Sequence, residues 1–557
     1  MRAKRSYSLF PTGLVAASVL AGCNAILGLN QLSISSDELD SGPPPPDAPI
    51  GPVVDAGPDN YVGECTTNVE CTDRATAAAM DAGTLPDDAG DGGARVMPAI
   101  CLKPEARCVE LFSEDCHEVT GDYKNDDAII LGTLFSVTGD QAATNLQRQH
   151  SATLAAEEIN NVGGIPAAAG SANPRPMVMV SCDEASSPLR AAGHLVNDLH
   201  VPAIVGPNTS QDTIDISSRL SVAAGTVLMT PTGVASSIGA LNDSDLTWLM
   251  VPSDVQRAPL MIKQIGELEA QVRVDHPEKA TVKLGIVFRN DALGSGTRTS
   301  LNDLSFNGKP LSDPINTGTN GNVTIDGYDF MAADQNALVT RYVTFAPDVV
   351  VLAGTAEAVT KVMEPLEMRW TAASRPYYML IDSVKVPDLI RVAANVELRS
   401  RIRGTGITPG PASVPVLNAF NLDYRARYGM NPTASGVGPS YDATYAIAFA
   451  LAATHNLPVS GPNIAKGLRK LAGGMTTIEV MPSKVLQGFQ KLVAGENITG
   501  IGTFVPMDWN ADGAVMGGTI EMWCIGAPAG PPAYQSSGLT YDIKSGNYSG
   551  MYAQCSP

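Results

Sequence analysis

The chain has 557 residues, 44% of them apolar, and a formal net charge of −20. That length allows several domains and a large core, and the excess of 57 acidic over 37 basic residues argues against a nucleic-acid partner, which needs clustered Lys and Arg. No apolar run reaches the ~18 residues of a membrane-spanning helix.

The first elements are targeting signals. Arg2, Lys4 and Arg5 make a basic start, and a short apolar run from Leu9 to Leu20 leads into Leu20-Ala21-Gly22-Cys23. This resembles the bacterial lipoprotein signal, in which residues 1–22 are removed and the thiol, here Cys23, is acylated. The resemblance implies an exported protein anchored through lipid and facing the periplasm or the cell surface. Asn24 is not the Asp that favours inner-membrane retention in lipoprotein sorting, so the outer membrane is preferred.

Residues 23–62 are rich in Pro, Gly, Asp and Ser and predict an extended tether. Residues 63–120 form a small Cys-containing region interrupted by the loop-like DAGTLPDDAGDGGA. Besides Cys23, the chain has Cys65, Cys71, Cys101, Cys108, Cys116, Cys182, Cys524 and Cys555. An even number in an exported chain predicts disulfides. Cys524 and Cys555 stand alone near the C-terminus and are the pairing the sequence favours. The five in 65–116 then need one partner from elsewhere, which leaves Cys182. No paired Cys-x-x-Cys spacing marks a zinc site.

From Asp126 short apolar runs alternate with helix-length segments. Strands are predicted at 128–135, 176–182, 201–206, 226–231, 282–288, 348–354 and 377–381, with helices between them. Continuous apolar strands separated by helices mean parallel sheets covered on both faces, and the length of this pattern means two lobes. In the first helix, Ala152, Ala155, Ala156 and Ile159 share one face, with Glu157 and Glu158 beside it toward water. Gly163 and Gly164 then supply the left-handed backbone that ends the helix.

The run ILGTLFSVTGDQAATNLQRQHSATLAAEEINNVGGI resembles the opening of the type I periplasmic binding proteins, closest to their branched-chain amino-acid binding branch. Three later stretches resemble further parts of that family in order: VPAIVGPNTSQDTIDISSRLSVAAGTVLMTPTG, FNLDYRARYGMNPTASGVGPSYDATYAIAFALAAT and IGTFVPMDWNADGAV. The resemblance spans roughly residues 126–526. It implies an α/β fold of two doubly wound lobes joined by three hinge crossovers near 254–257, 404–410 and 503–506. Lobe 1 is then 126–255 with 406–503, lobe 2 is 256–405 with 504–526, and 527–557 is a C-terminal tail.

The resemblance also places a ligand in the cleft at the carboxyl ends of both sets of strands, as is general for open α/β sheets. Ser136 lies at the end of the first strand. Thr209 and Ser210 match the residues after the third strand that hold a ligand carboxylate, and Ser210 precedes a helix whose free N–H groups suit an anion. The alternative role for Ser210 is a helix N-cap. After the fourth strand this chain has Val234 where amino-acid binders often carry Thr, leaving Thr232 and Gly233 to serve. Three positions that often carry Tyr are Thr144, Leu293 and Thr355. The second-lobe acid that meets the ligand ammonium falls near Asp382 or Ser383, Asp382 being otherwise a solvated loop residue. Asp442 is read as a capping or packing residue.

No Gly-x-Ser-x-Gly elbow, His-Glu-x-x-His or other catalytic spacing occurs, so no enzyme is predicted and no cofactor or metal. DWNADG lacks the bidentate Glu of a calcium loop, Thr519 standing at the twelfth position. Gly294-Ser295-Gly296 lacks the third glycine of a dinucleotide loop. The leading function is a lipid-anchored solute-binding protein that captures a small polar ligand, an amino acid or related amide, for ABC-type import through a permease. The alternatives are a ligand-binding sensor lipoprotein acting on another envelope protein, and a structural surface lipoprotein with a vestigial cleft.

Overall fold

The computed structural model describes residues 65–86, 95–103, 105–318, 320–528 and 530–556. The signal segment, Cys23 and the tether lie outside the described residues. Among the described residues no helix is long and apolar enough to cross a membrane.

The Cys-containing region comes first in chain order among the described residues. Thr67 accepts from the Glu70 N–H at 3.2 Å and starts helix α1, Asn68–Ala82, which ends at Gly83 in the left-handed region. Strands β1, Ala99–Leu102, and β2, Arg107–Glu110, form a hairpin. Disulfides Cys65–Cys101 and Cys71–Cys108 fasten the helix segment to that hairpin. The sulfurs of Cys65, Cys71 and Cys101 lie close together because these two bridges are neighbours. The region shares a core with the lobe beyond it, Ile100, Val109 and Leu111 packing with Ala191 and Leu195.

The first large sheet contains β3, Cys116–Thr120; β4, Ile129–Phe135; β5, Met177–Asp183; β6, Ala203–Val205; β7, Val227–Thr230; and β8, Thr247–Leu249. Its order is β3-β5-β4-β6-β7-β8, parallel except for β3. Cys116–Cys182 ties β3 to β5. The central strands are buried on both faces, as crossover helices require. Those helices include α2, Ala142–Asn161; α3, Pro188–Gly193; and α4, Ser210–Ile216.

The chain crosses at 250–253 into α5, Asp254–Asp275, which a Ser253/Gln256 capping box opens. The second sheet begins with β9, Leu284–Arg289; its following helix is α6, Ala292–Ser300. Then come β10, Val323–Tyr328; β11, Val349–Ala353; β12, Tyr377–Leu380; and β13, Ile402–Thr408. A second crossing at 409–413 leads back to the first lobe and its helices α7, Val414–Tyr428; α8, Val437–Ala453; and α9, Pro482–Val493. Strands β14, Thr476–Glu479, and β15, Ile498–Ile501, form a small parallel pair there. The chain finally adds β16, Thr519–Gly526; β17, Ala533–Asp542; and β18, Asn547–Ser549 to the second sheet. Its order is β10-β9-β11-β12-β13-β16-β17-β18. Cys524–Cys555 closes this last extension.

Several details differ from the sequence reading. The stretch 404–408 pairs with 519–523 as sheet backbone, so the second crossing comes after it. Met507, Trp509 and Val515 pack in the first lobe's core, so residues 504–515 belong there and the third crossing lies at 516–518. Trp509 meets Trp248 edge-on at 5.4 Å and donates to the Leu249 carbonyl at 2.8 Å, which holds that segment in place. Residues 533–549 are sheet strands that continue the second lobe.

Glu158 does not face water. It is buried where α8 packs on α2, and its Oε2 accepts from Tyr441 at 2.5 Å and Tyr445 at 2.7 Å. The face of Ala152, Ala155, Ala156 and Ile159 is buried. Gly164 has φ +79°, and a Cβ there would sit 2.8 Å from the Arg175 carbonyl, so both the helix end and the close return of the chain require glycine.

Candidate functional site

The first sheet is parallel apart from β3 and the second is parallel from β10 to β13, with β16, β17 and β18 antiparallel, which corrects the expectation of two parallel sheets; the residues just past β7, β9 and β12 border one recess. The lobes meet there. Helix α4 of the first lobe packs against α6 of the second, with Ile214 and Ala292 joining an apolar cluster around Ala235, Ile238 and Leu249. Gly296 makes the approach possible: a Cβ on it would lie 1.9 Å from Asp254 Oδ2 and 3.4 Å from the Ala235 Cα. Gly296 therefore serves packing of α6 on its neighbours, while Gly294 lets the chain pass over the Arg289 backbone, whose carbonyl would lie 2.1 Å from a Cβ.

In the first lobe, Thr209 is the N-cap of α4, accepting from the Asp212 N–H at 3.0 Å. Ser210 is buried, and its Oγ accepts from the N–H groups of Val234 at 3.0 Å and Ala235 at 3.2 Å. It thus ties α4 to the loop after β7 and is not the N-cap. Thr232 donates to the Asn208 carbonyl, and the Gly233 N–H is bound by Thr230 Oγ1 at 2.9 Å. Ser136 donates to Glu184 Oε1 at 3.4 Å. Thr144 sits half-buried in the first turns of α2.

In the second lobe, Leu293 is half-buried on α6. Thr355 accepts from Arg289 Nη1 at 3.3 Å and donates to Glu357. Asp382 Oδ2 accepts from Arg257 Nη1 at 2.5 Å. Arg289 lies over the Phe330 ring at 3.9 Å, with Asp291 at 2.7 Å and Glu357 at 3.6 Å. The acid at position 382 is thus already matched to an internal cation.

The sequence reading missed a buried polar cluster at the first lobe's strand tips. Arg148 of α2 donates to Ser435, Asn145 and Asn208. Burial lowers its pKa to about 10. Glu184, just past β5, accepts from Ser136 and from the Asn208 N–H at 3.1 Å, and burial with the neighbouring Asp212 pushes its carboxyl well up. The signal was present in sequence: Asp183-Glu184 follow a continuous apolar strand at its carboxyl end, where open sheets place their sites.

Leu293 and Asp382 border one recess together with Val234, Asp254 and Arg257. Its cavity volume is about 20 Å³. The recess has room for little more than a water. Ser136, Thr144, Thr209, Ser210, Thr232, Gly233 and Thr355 do not border it.

No family model and no curated protein matches this sequence. Among solved structures, a leucine-binding protein from Thermotoga maritima superposes with a TM-score of 0.52 at 14% identity, covering 73% of this chain and 98% of that one. A solute-binding protein of an ABC transporter from R. palustris, in complex with benzoate, gives 0.50 at 13% identity, covering 73% and 96%. Two doubly wound lobes, three crossings between them and these superpositions together show that the chain has the type I periplasmic binding protein fold.

Proposed function

We propose that this chain is a non-catalytic, extracytoplasmic solute-binding protein, anchored through Cys23, which closes its two lobes on a small polar ligand. The observation that carries the reading is the recess at the lobe interface, bordered by Val234 from one lobe and Leu293 and Asp382 from the other. A ligand touching both sides makes contacts that exist only in the closed form, and this is how a solute drives hinge closure. Four disulfides support an oxidising compartment. Delivery to an ABC-type permease is the role this fold suits, with amino acids or related amides the starting ligand class.

Thermal shift against a broad metabolite panel tests the reading. A ligand at 100 times its Kd stabilises the folded state by about 2.7 kcal/mol. A panel without any stabilising compound contradicts it and favours a structural lipoprotein. Anchoring is tested separately: Cys23→Ser should release the protein from the membrane fraction.

A further inference from the structure

The three crossings between the lobes are unequal in stiffness. Pro252 stands in the first, and Pro409 and Pro411 in the second; each proline ring fixes its φ. The third ends in Gly517-Gly518. Gly518 has φ +139°, a backbone that glycine adopts readily and other residues rarely do. Hinge motion needs a few residues that absorb large φ/ψ changes, and the third crossing is where the chain sets two glycines in succession.

Gly518 is also a junction. A Cβ on it would lie 3.0 Å from Val505 Cγ1 of the first lobe, 3.3 Å from Pro252 Cγ of the first crossing and 3.6 Å from Ile543 Cδ1 just past β17. The ladder between β16 and β17 runs on past the Thr519–Asp542 pair, the Ile543 N–H donating to the Gly518 carbonyl at 3.0 Å. The hairpin of β17 and β18 therefore grips the third crossing. It also grips the helix that leaves the first. Tyr548 of β18 donates to the Pro259 carbonyl of α5 at 3.1 Å, and Lys263 Nζ lies 5.5 Å from the centre of the Tyr548 ring. Gln256 Nε2 at the start of α5 donates to the Val515 carbonyl, just before the third crossing, at 2.6 Å. Cys524–Cys555 fastens the chain beyond β18 back to β16.

From these observations we infer that the C-terminal hairpin is a brace on the hinge: it holds Gly518 at positive φ, couples the first crossing to the third, and so sets the resting angle between the lobes. With the brace loosened, Gly517 and Gly518 are free to rotate and the lobes part. The inference concerns the empty protein, so it stands or falls separately from solute binding.

Small-angle scattering of the full chain without ligand tests it. Gly518→Ala sets a methyl against Val505 and Pro252 and should raise the radius of gyration, because parting the lobes relieves that contact. Ile543→Pro removes the N–H that Gly518 accepts and should do the same. Two controls should scatter like the parent. Gly546→Ala, in the hairpin turn at φ +69° with nothing within 4 Å of the added Cβ, carries backbone strain away from the hinge. Gly410→Ala, in the second crossing, meets Thr519 Oγ1 at an ordinary 3.4 Å. Parent-like curves for both Gly518→Ala and Ile543→Pro overturn the inference, as does an equal expansion in either control. Expansion in Gly518→Ala alone places the set point in the glycine and overturns the part given to the hairpin. Where neither variant folds, Tyr548→Phe, which removes the hydroxyl on Pro259 and keeps the ring, decides: expansion supports the brace and the parent's curve overturns it.

Discussion

Ser210 Oγ accepts the Val234 N–H at 3.0 Å and the Ala235 N–H at 3.2 Å, so a single hydroxyl fastens the start of α4 to the loop after β7. Ser210→Ala leaves two buried N–H groups without an acceptor. The expected cost is about 2 kcal/mol of stability, read as a lower urea midpoint. A variant of unchanged stability that no longer binds ligand would instead give Ser210 a direct place in recognition.

Arg257 and Asp382 form the most enclosed charge pair at the recess, with 8% and 20% of their side chains exposed. Asp382→Ala strands the guanidinium in a buried setting and should destabilise by about 3 kcal/mol. Replacing both, Arg257→Met with Asp382→Leu, should recover most of that loss. A double-mutant cycle by chemical denaturation checks the prediction, and additive single effects would contradict it.

Gly296 lets the lobes approach closely, because a Cβ there would lie 3.4 Å from the first lobe's Ala235 Cα as well as 1.9 Å from Asp254 Oδ2 at the start of α5. Gly296→Val should push α6 away from α4 and shift the population toward the open form. Small-angle scattering should then show a larger radius of gyration, and ligand affinity should fall. An unchanged scattering curve would mean that the neighbouring loop yields without opening the hinge.

Glu158 gives a pH dependence whose sign follows from its burial. Desolvation raises its carboxyl from the ordinary 4.5 to about 7, even though Tyr441 and Tyr445 donate to it. The native state therefore holds this proton longer than the unfolded chain. Its contribution to stability is greatest below the unfolded value, falls as pH rises between about 4.5 and 7, and stays lost above. Glu158→Gln removes the titration, so its stability relative to the parent should improve from pH 5 to pH 8. Urea midpoints at the two pH values check this; a constant difference would contradict it.

Asp442 shows where the sequence reading ran out. Its acidic side chain on an apolar helix was legible as a packing residue, but its partner was not. In the fold its Oδ2 accepts from the Thr503 N–H at 2.8 Å and hydroxyl at 2.7 Å, anchoring the turn between β15 and the last crossing. Burial raises its carboxyl to about 7. Glu158 went astray for the same reason: helical spacing tells which residues share a face, but not that α8 will cover the neighbouring flank.

What the sequence determined by itself was local and periodic. Apolar runs such as 128–135 and 201–206, the glycine pair 163–164 and the alternation of strand with helix led to two parallel-sheet lobes, because backbone sterics and side-chain period act over a few residues. Tertiary structure decided the pairings between distant positions. The placing of 504–515 in the first lobe, the joining of 533–549 to the second sheet, the Arg257–Asp382 pair and the unpartnered oxygen of Asp254 all depend on which surfaces meet in space. Burial and electrostatic pairing are set by that meeting, and no local pattern encodes it.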